Sequence, residues 1–201
     1  MTVSGTGTAG ARLAVFFPGI GYTVDKPLMH YSRRLAAALG YEIRLVPYTG
    51  FPKKVKGDRE RMVESYRIAL KQTEELLADV NFEAYSDILF VGKSIGTIVA
   101  AQTAADRKCT RRSRFVFYTP LEETFGFPCD KAIVFTGAAD PWVGGAESRI
   151  SALSSEKGYE CFLIPDANHS LETADVQQDI RNMQMIMAET ERFLMDAPRE
   201  G

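Results

Sequence analysis

Histidine is scarce in this chain: His30 and His169 are the only two. A mechanism that needs an imidazole base therefore has two candidates, and no cluster of metal-ligand residues appears. Cysteine is nearly as sparse. Cys109, Cys129 and Cys161 are odd in number and lack metal-site spacing, so reduced, mostly buried thiols in a cytoplasmic protein are the simplest reading. No apolar run approaches the roughly 18 residues of a membrane helix. The opening "MTVSGTGTAGARLAVFFPG" lacks a basic start followed by a long apolar stretch, so no secretory signal is expected. Excess positive charge is missing too: the net charge is -2 and the pI about 5.8. Nucleic-acid binding would need a basic surface to displace counterions.

What is present is an ordinary globular composition, 45% hydrophobic and 25% charged over 201 residues, enough for one domain with a real core. Residues 1–11 are small and polar and read as a flexible tail, leaving 12–201 as a single domain. Gly5, Gly7 and Gly10 spell G-x-G-x-x-G in that tail. A dinucleotide loop follows a strand and opens a helix, whereas here the strand comes afterwards, so no cofactor is assigned.

Short apolar runs then alternate with helical patterns. Strands are expected at 13–17, 42–48, 87–91, 114–119, 131–136 and 159–164, most of them near-continuously apolar. One helix is expected to bury Leu28, Tyr31, Leu35, Ala38 and Leu39. A second should bury a stripe from Met62 through Tyr66, Ala69 and Thr73 to Val80. The third, 95–105, is small and apolar throughout, and a fourth spans about 146–155. A fifth places Val176, Ile180, Met183 and Met187 on one stripe. This alternation predicts a three-layer α/β/α sandwich around a mostly parallel six-stranded sheet.

The stretch "DILFVGKSIGTIVAAQ" (87–102) admits two readings. A phosphate-binding loop needs glycine five positions before Gly92, but Asp87 stands there, inside a strand. That reading fails. Gly92-Lys93-Ser94-Ile95-Gly96 instead follows a buried strand and opens a helix. A sharp turn of this kind exposes its central serine at a helix N-terminus, where free amides favour developing negative charge. Ser94 is thus a candidate nucleophile, although a serine there can equally be an ordinary N-cap.

Two further loops follow strands. "GAADPW" brings Asp140 and "PDANHSLE" brings His169, so the order is Ser, Asp, His, as expected for this fold. His169 would serve as base. His30 points toward Arg33 and Arg34 on the helical wheel, toward solvent. Asp140 would orient the imidazole, with Asp166 as the rival acid; aspartate before proline is also a common turn former.

With these motifs the chain resembles the α/β-hydrolases, in particular the small lidless members related to dienelactone hydrolases and other compact esterases. The resemblance covers about residue 13 onward and rests on "FFPGIGYT", "VGKSIG", "GAADPW" and "PDANHSLE". It implies a minimal hydrolase fold lacking the larger family's first two strands and, with only "PLEETFGFPCD" between strands four and five, lacking a cap domain. It also implies an oxyanion hole from the Ile95 amide and from the first loop, where Gly19 matches a family glycine. Ile20 is then the favoured second donor and Gly21 the alternative, although Pro18 replaces the usual histidine.

Tyr22, Lys93, Leu121 and Trp142 are candidate substrate contacts, as are Phe125 and Phe127, though each aromatic can equally be core. Lys93 reads first as a solvated rim lysine that could favour acidic substrates. The run "RKCTRRSR" holds five positive charges, but on the face opposite the site, where cations suit a helix C-terminus and solubility. The expectation is a cytoplasmic serine hydrolase of esters or thioesters without metal or organic cofactor. The alternatives are an acyltransferase using the same residues and a catalytically silent binding module. Neither nucleic acid nor membrane is expected as a partner, and a homodimer is left open.

Overall fold

The computed structural model describes residues 10–142 and 149–196. Most of the expected tail, and the start of the expected fourth helix, lie outside the described residues.

In chain order the elements are β1 (Ala11–Phe17), α1 (Pro27–Ala38), β2 (Glu42–Leu45), α2 (Arg59–Leu76), β3 (Tyr85–Lys93), α3 (Ile95–Asp106), β4 (Ser113–Tyr118), β5 (Ala132–Gly137), α4 (Arg149–Glu156), β6 (Glu160–Ile164) and α5 (Val176–Met195). The six strands form one sheet in the order β2-β1-β3-β4-β5-β6. Every pair is parallel.

The inner strands serve two cores. Along β1, Leu13, Val15 and Phe17 pack with residues of α2, α3 and α4. Ala14 and Phe16 pack on the other face with residues of α1 and α5. Because helices cover both faces, the inner strands read as mostly apolar runs, whereas the edge strand β2 reads Glu-Ile-Arg-Leu. Helix α3 lies against β3 with small residues such as Ala100, Ala101 and Ala104 buried, which lets its backbone approach the sheet.

The helix faces differ from the expected ones. On α1 the buried residues are Leu28, Met29, Ser32 and Ala36, while Tyr31 is exposed. On α5 they are Asn182, Ile186, Thr190, Phe193 and Leu194, with Val176 and Ile180 facing outward. Helix α2 ends at Leu76, which is itself exposed, so Val80 is buried from the following loop. In all five helices the buried face includes a hydroxyl residue that donates to the carbonyl four residues back. Ser32 bonds Leu28, Thr73 bonds Ala69, Thr103 bonds Val99, Ser154 bonds Ile150 and Thr190 bonds Ile186. A hydroxyl satisfied within its own helix is tolerated in a core, so counting apolar residues alone sets the face wrongly.

The basic run is also more than a solvated patch. Arg114 is buried, and its Nη1 donates to the carbonyls of Phe193, Leu194 and Asp196 at 3.1, 3.0 and 2.9 Å. It therefore closes the C-terminus of α5 rather than that of α3. Its Nη2 pairs with Asp87 Oδ2 at 2.7 Å, which Arg12 and the Tyr41 hydroxyl also reach.

From β1 the chain moves outward to β2, then returns to β3 on the other side of β1. The crevice beyond the carboxyl ends of the strands at such a reversal is where open α/β sheets carry their ligands.

Candidate active site

The strand-to-helix turn at Ser94 is built by close approach. Ser94 has φ 53° and ψ -124°, a conformation that L residues rarely adopt. A Cβ on Gly92 would sit 2.7 Å from Thr97 Cα, and one on Gly96 would sit 2.1 Å from the Phe17 carbonyl oxygen. Glycine is thus required on both sides for the turn to nest between β1 and α3. The Ser94 N–H is held by the Tyr118 carbonyl at 3.0 Å.

Ser94, His169 and Asp140 lie in that order, each within hydrogen-bonding distance of the next. Ser94 Oγ lies 2.8 Å from His169 Nε2, and His169 Nδ1 lies 2.7 Å from Asp140 Oδ2. Asp140 is 1% exposed, and its other oxygen accepts the Trp142 N–H at 2.9 Å. With the carboxylate accepting from Nδ1–H, the neutral tautomer leaves Nε2 free to accept from the serine hydroxyl. Burial lowers the His169 pKa below its ordinary 6.5 more than the Asp140 hydrogen bond raises it, and the nearby Lys93 charge lowers it further. The Trp142 ring stacks on the imidazole, centroids 5.2 Å apart.

The rivals stand elsewhere. His30 is half-buried on α1, beside Arg33 and edge-on to Tyr31. Asp166 is exposed in a left-handed turn at φ 56°.

Gly19 and Tyr22 close a tight turn with hydrogen bonds of 3.1 and 3.4 Å in the two directions. Ile20 and Gly21 occupy its tip and line the cleft together with Ser94. A Cβ on Gly19 would lie 3.3 Å from Ser94 Cβ, so the turn abuts the serine. The Ile95 N–H, first of α3, lies outside that helix's own ladder.

Lys93 is the principal correction. It is 1% exposed, not a solvated rim residue. Its ammonium donates to Thr119 Oγ1 at 2.6 Å and to the His169 carbonyl at 2.7 Å, and it lies 5.1 Å from the centre of the Tyr22 ring. Burial drives its pKa down to about 7, against the attraction of Asp140 and Glu172. Thr119 also donates to the His169 carbonyl, at 3.1 Å. Thr119, which directly follows β4 next to the elbow, was not among the residues singled out from the sequence. Gly137 was missed as well: a Cβ there would lie 2.2 Å from the Ala167 carbonyl oxygen, so only glycine lets the histidine loop rest on β5.

The remaining candidates divide. Tyr22 lines the cleft with its ring, while its hydroxyl accepts the Leu28 N–H at 3.2 Å. Leu121 is buried and lines an adjoining groove with Trp142. Phe125 and Phe127 belong to the core beneath. The loop between β2 and α2 was overlooked, yet Pro52, Lys54, Val55 and Lys56 form one wall of the cleft.

Among the described residues no group of three His, Cys, Asp or Glu could hold a metal ion, and no helix is long and apolar enough to cross a membrane.

No protein-family model matches the sequence, and no curated protein matches it. Solved structures do match. A serine hydrolase homologue from Coxiella burnetii is 17% identical, with 89% of this chain and 84% of that one covered at a TM-score of 0.59. A lidless α/β serine hydrolase from Xanthomonas campestris is 14% identical, with 95% and 86% covered at 0.57. An esterase from Pyrococcus furiosus is 15% identical, with 94% and 83% covered at 0.59. The chain has the fold of lidless α/β-hydrolases, as expected.

Proposed function

We propose that this protein is a serine hydrolase that cleaves an ester or thioester through an acyl-enzyme on Ser94. The observation that carries the reading is the continuous relay, 2.8 Å from serine oxygen to imidazole and 2.7 Å from imidazole to carboxylate.

In the first half-reaction the Ser94 hydroxyl gives its proton to His169 Nε2 as its oxygen bonds to the substrate carbonyl carbon. The carbonyl electrons move onto oxygen, and the amides of Ile95 and of Ile20 or Gly21 receive that charge. Collapse re-forms the carbonyl and breaks the bond to the leaving group, which takes the proton from His169. Water then attacks the acyl-serine with His169 as base, releasing the acid and restoring the hydroxyl. Asp140 keeps the imidazole in the tautomer that accepts at Nε2 and stabilises the cation formed between steps. Lys93 acts through position: by holding the His169 carbonyl it fixes the loop that presents the ring, and its charge helps keep the ring neutral between turnovers.

The name of a structural neighbour as an esterase agrees with this reading. The test is turnover of 4-nitrophenyl butyrate by the native protein and by Ser94→Ala. Activity that depends on Ser94 supports the proposal; equal activity in both proteins overturns it.

A further inference from the structure

The relay opens into a cleft of about 350 Å³ whose charge is one-sided. Among the described residues three lysines, Lys54, Lys56 and Lys93, line it and no carboxylate does. Asp140, behind His169, has both oxygens engaged. Among the described residues Asp58, Glu122 and Glu123 line the adjoining groove, which Trp142 also borders. There Asp58 pairs with Arg61 and Glu122 with Arg149, leaving Glu123. Glu172 is outside the lining, although its charge reaches Lys93 and Tyr22.

Lys54 and Lys56 differ from Lys93 in being exposed. Among the described residues neither forms an ion pair, and the backbone beside them is hydrogen-bonded. Val55 between them is 6% exposed, and Phe51 earlier in the loop packs against the core. The Val55 carbonyl accepts the Asp58 N–H at 3.0 Å. Arg61 Nη1 donates to the Lys53 carbonyl at 3.0 Å. Lys54 itself turns the chain at φ 55°. Two cationic side chains thus leave a hydrogen-bonded loop at the cleft mouth, with Met62 and Trp142 as apolar surface beside them. The charge of Lys56 is felt at the imidazole of His169, so it acts on the same space as the relay.

We propose that the ester turned over at Ser94 carries an anionic group, such as a carboxylate, which Lys54 and Lys56 receive while its apolar stem lies against Met62 and Trp142. This inference rests on the hydrolase reading and narrows its substrate class. An unpaired cation at the mouth of a low-dielectric cleft both attracts an anion from solution and offers it a partner there.

The test compares kcat/KM for matched esters at low ionic strength. Mono(4-nitrophenyl) adipate against 4-nitrophenyl hexanoate places the carboxylate on the acyl side. The butyrate of 3-carboxy-4-nitrophenol against that of 4-nitrophenol places it on the leaving side. At least one anionic member should exceed its neutral partner. That ratio should fall by on the order of tenfold in the Lys54→Glu/Lys56→Glu double variant, and toward unity in about 1 M salt, where screening acts within about 3 Å. Fluorophosphonate labelling of each variant reports whether Ser94 is still reactive. Anionic esters no better than neutral ones in both pairs, or a preference that survives charge reversal and salt, overturns the inference while leaving the hydrolase reading intact. No turnover of any ester together with no labelling overturns both.

Discussion

At the residue scale, the roles of Asp140, His169 and Lys93 separate by experiment. Asp140→Asn should lower kcat by about four orders of magnitude, because an amide favours the wrong imidazole tautomer, with the melting temperature little changed. Asp166→Asn, at an exposed turn, should leave kcat near native; the reverse outcome reassigns the acid. The pH profile carries a second expectation. Since burial and Lys93 hold the His169 pKa below 6.5, the acid limb of kcat/KM should fall below that pH. Lys93→Met removes the cation and should move the limb upward. The same lysine has a stability signature. Its value is about 7 when folded against 10.5 as a free side chain, so between those limits the unfolded chain holds more protons. Stability should therefore rise with pH across that window in urea titrations of the native protein, and the rise should flatten in Lys93→Met. The three relay residues were legible in the sequence because each sits in a loop directly after an apolar strand. The state of Lys93 was not: nothing local to "GKSIG" says that Thr119 and the His169 carbonyl, 26 and 76 residues away, fold over it.

At the scale of elements, two devices position the site, and they can be broken separately. Gly96→Ala would drive a methyl into the Phe17 carbonyl. It should destabilise by about 1–3 kcal/mol through overpacking, with loss of esterase activity in whatever remains folded. Remote from the site, Asp87→Ala leaves Arg114 buried without its carboxylate and should cost about 3–5 kcal/mol in chemical denaturation, the surviving folded protein keeping its kcat. The helices show where periodicity falls short. The spacing of Leu28, Leu35 and Leu39 located α1, but Ser32 bonds both the Leu28 carbonyl and the Tyr118 hydroxyl, placing a polar residue at the centre of the buried face. On α5, Thr190 does the same against Ile186 and Tyr118. Val176 and Ile180, near the helix start, continue the apolar stripe of Met183 and Met187 but are exposed.

At the scale of the whole molecule, the account depends on convergence. Ser94, Asp140 and His169 follow β3, β5 and β6, and a parallel sheet brings the carboxyl ends of its strands to one edge. That edge was readable from the strand order, since every strand was expected within a few residues of its observed position. The wall from Pro52 to Lys56 was not readable, because its place over the cleft depends on how the chain leaves the edge strand β2 to reach α2. The most direct test of the central claim is peptide mass spectrometry after labelling with a fluorophosphonate, which traps a serine activated by a neighbouring base. The account predicts a single adduct, on Ser94, lost in His169→Ala. An unlabelled protein, an adduct on another serine, or labelling that persists without the imidazole would contradict it.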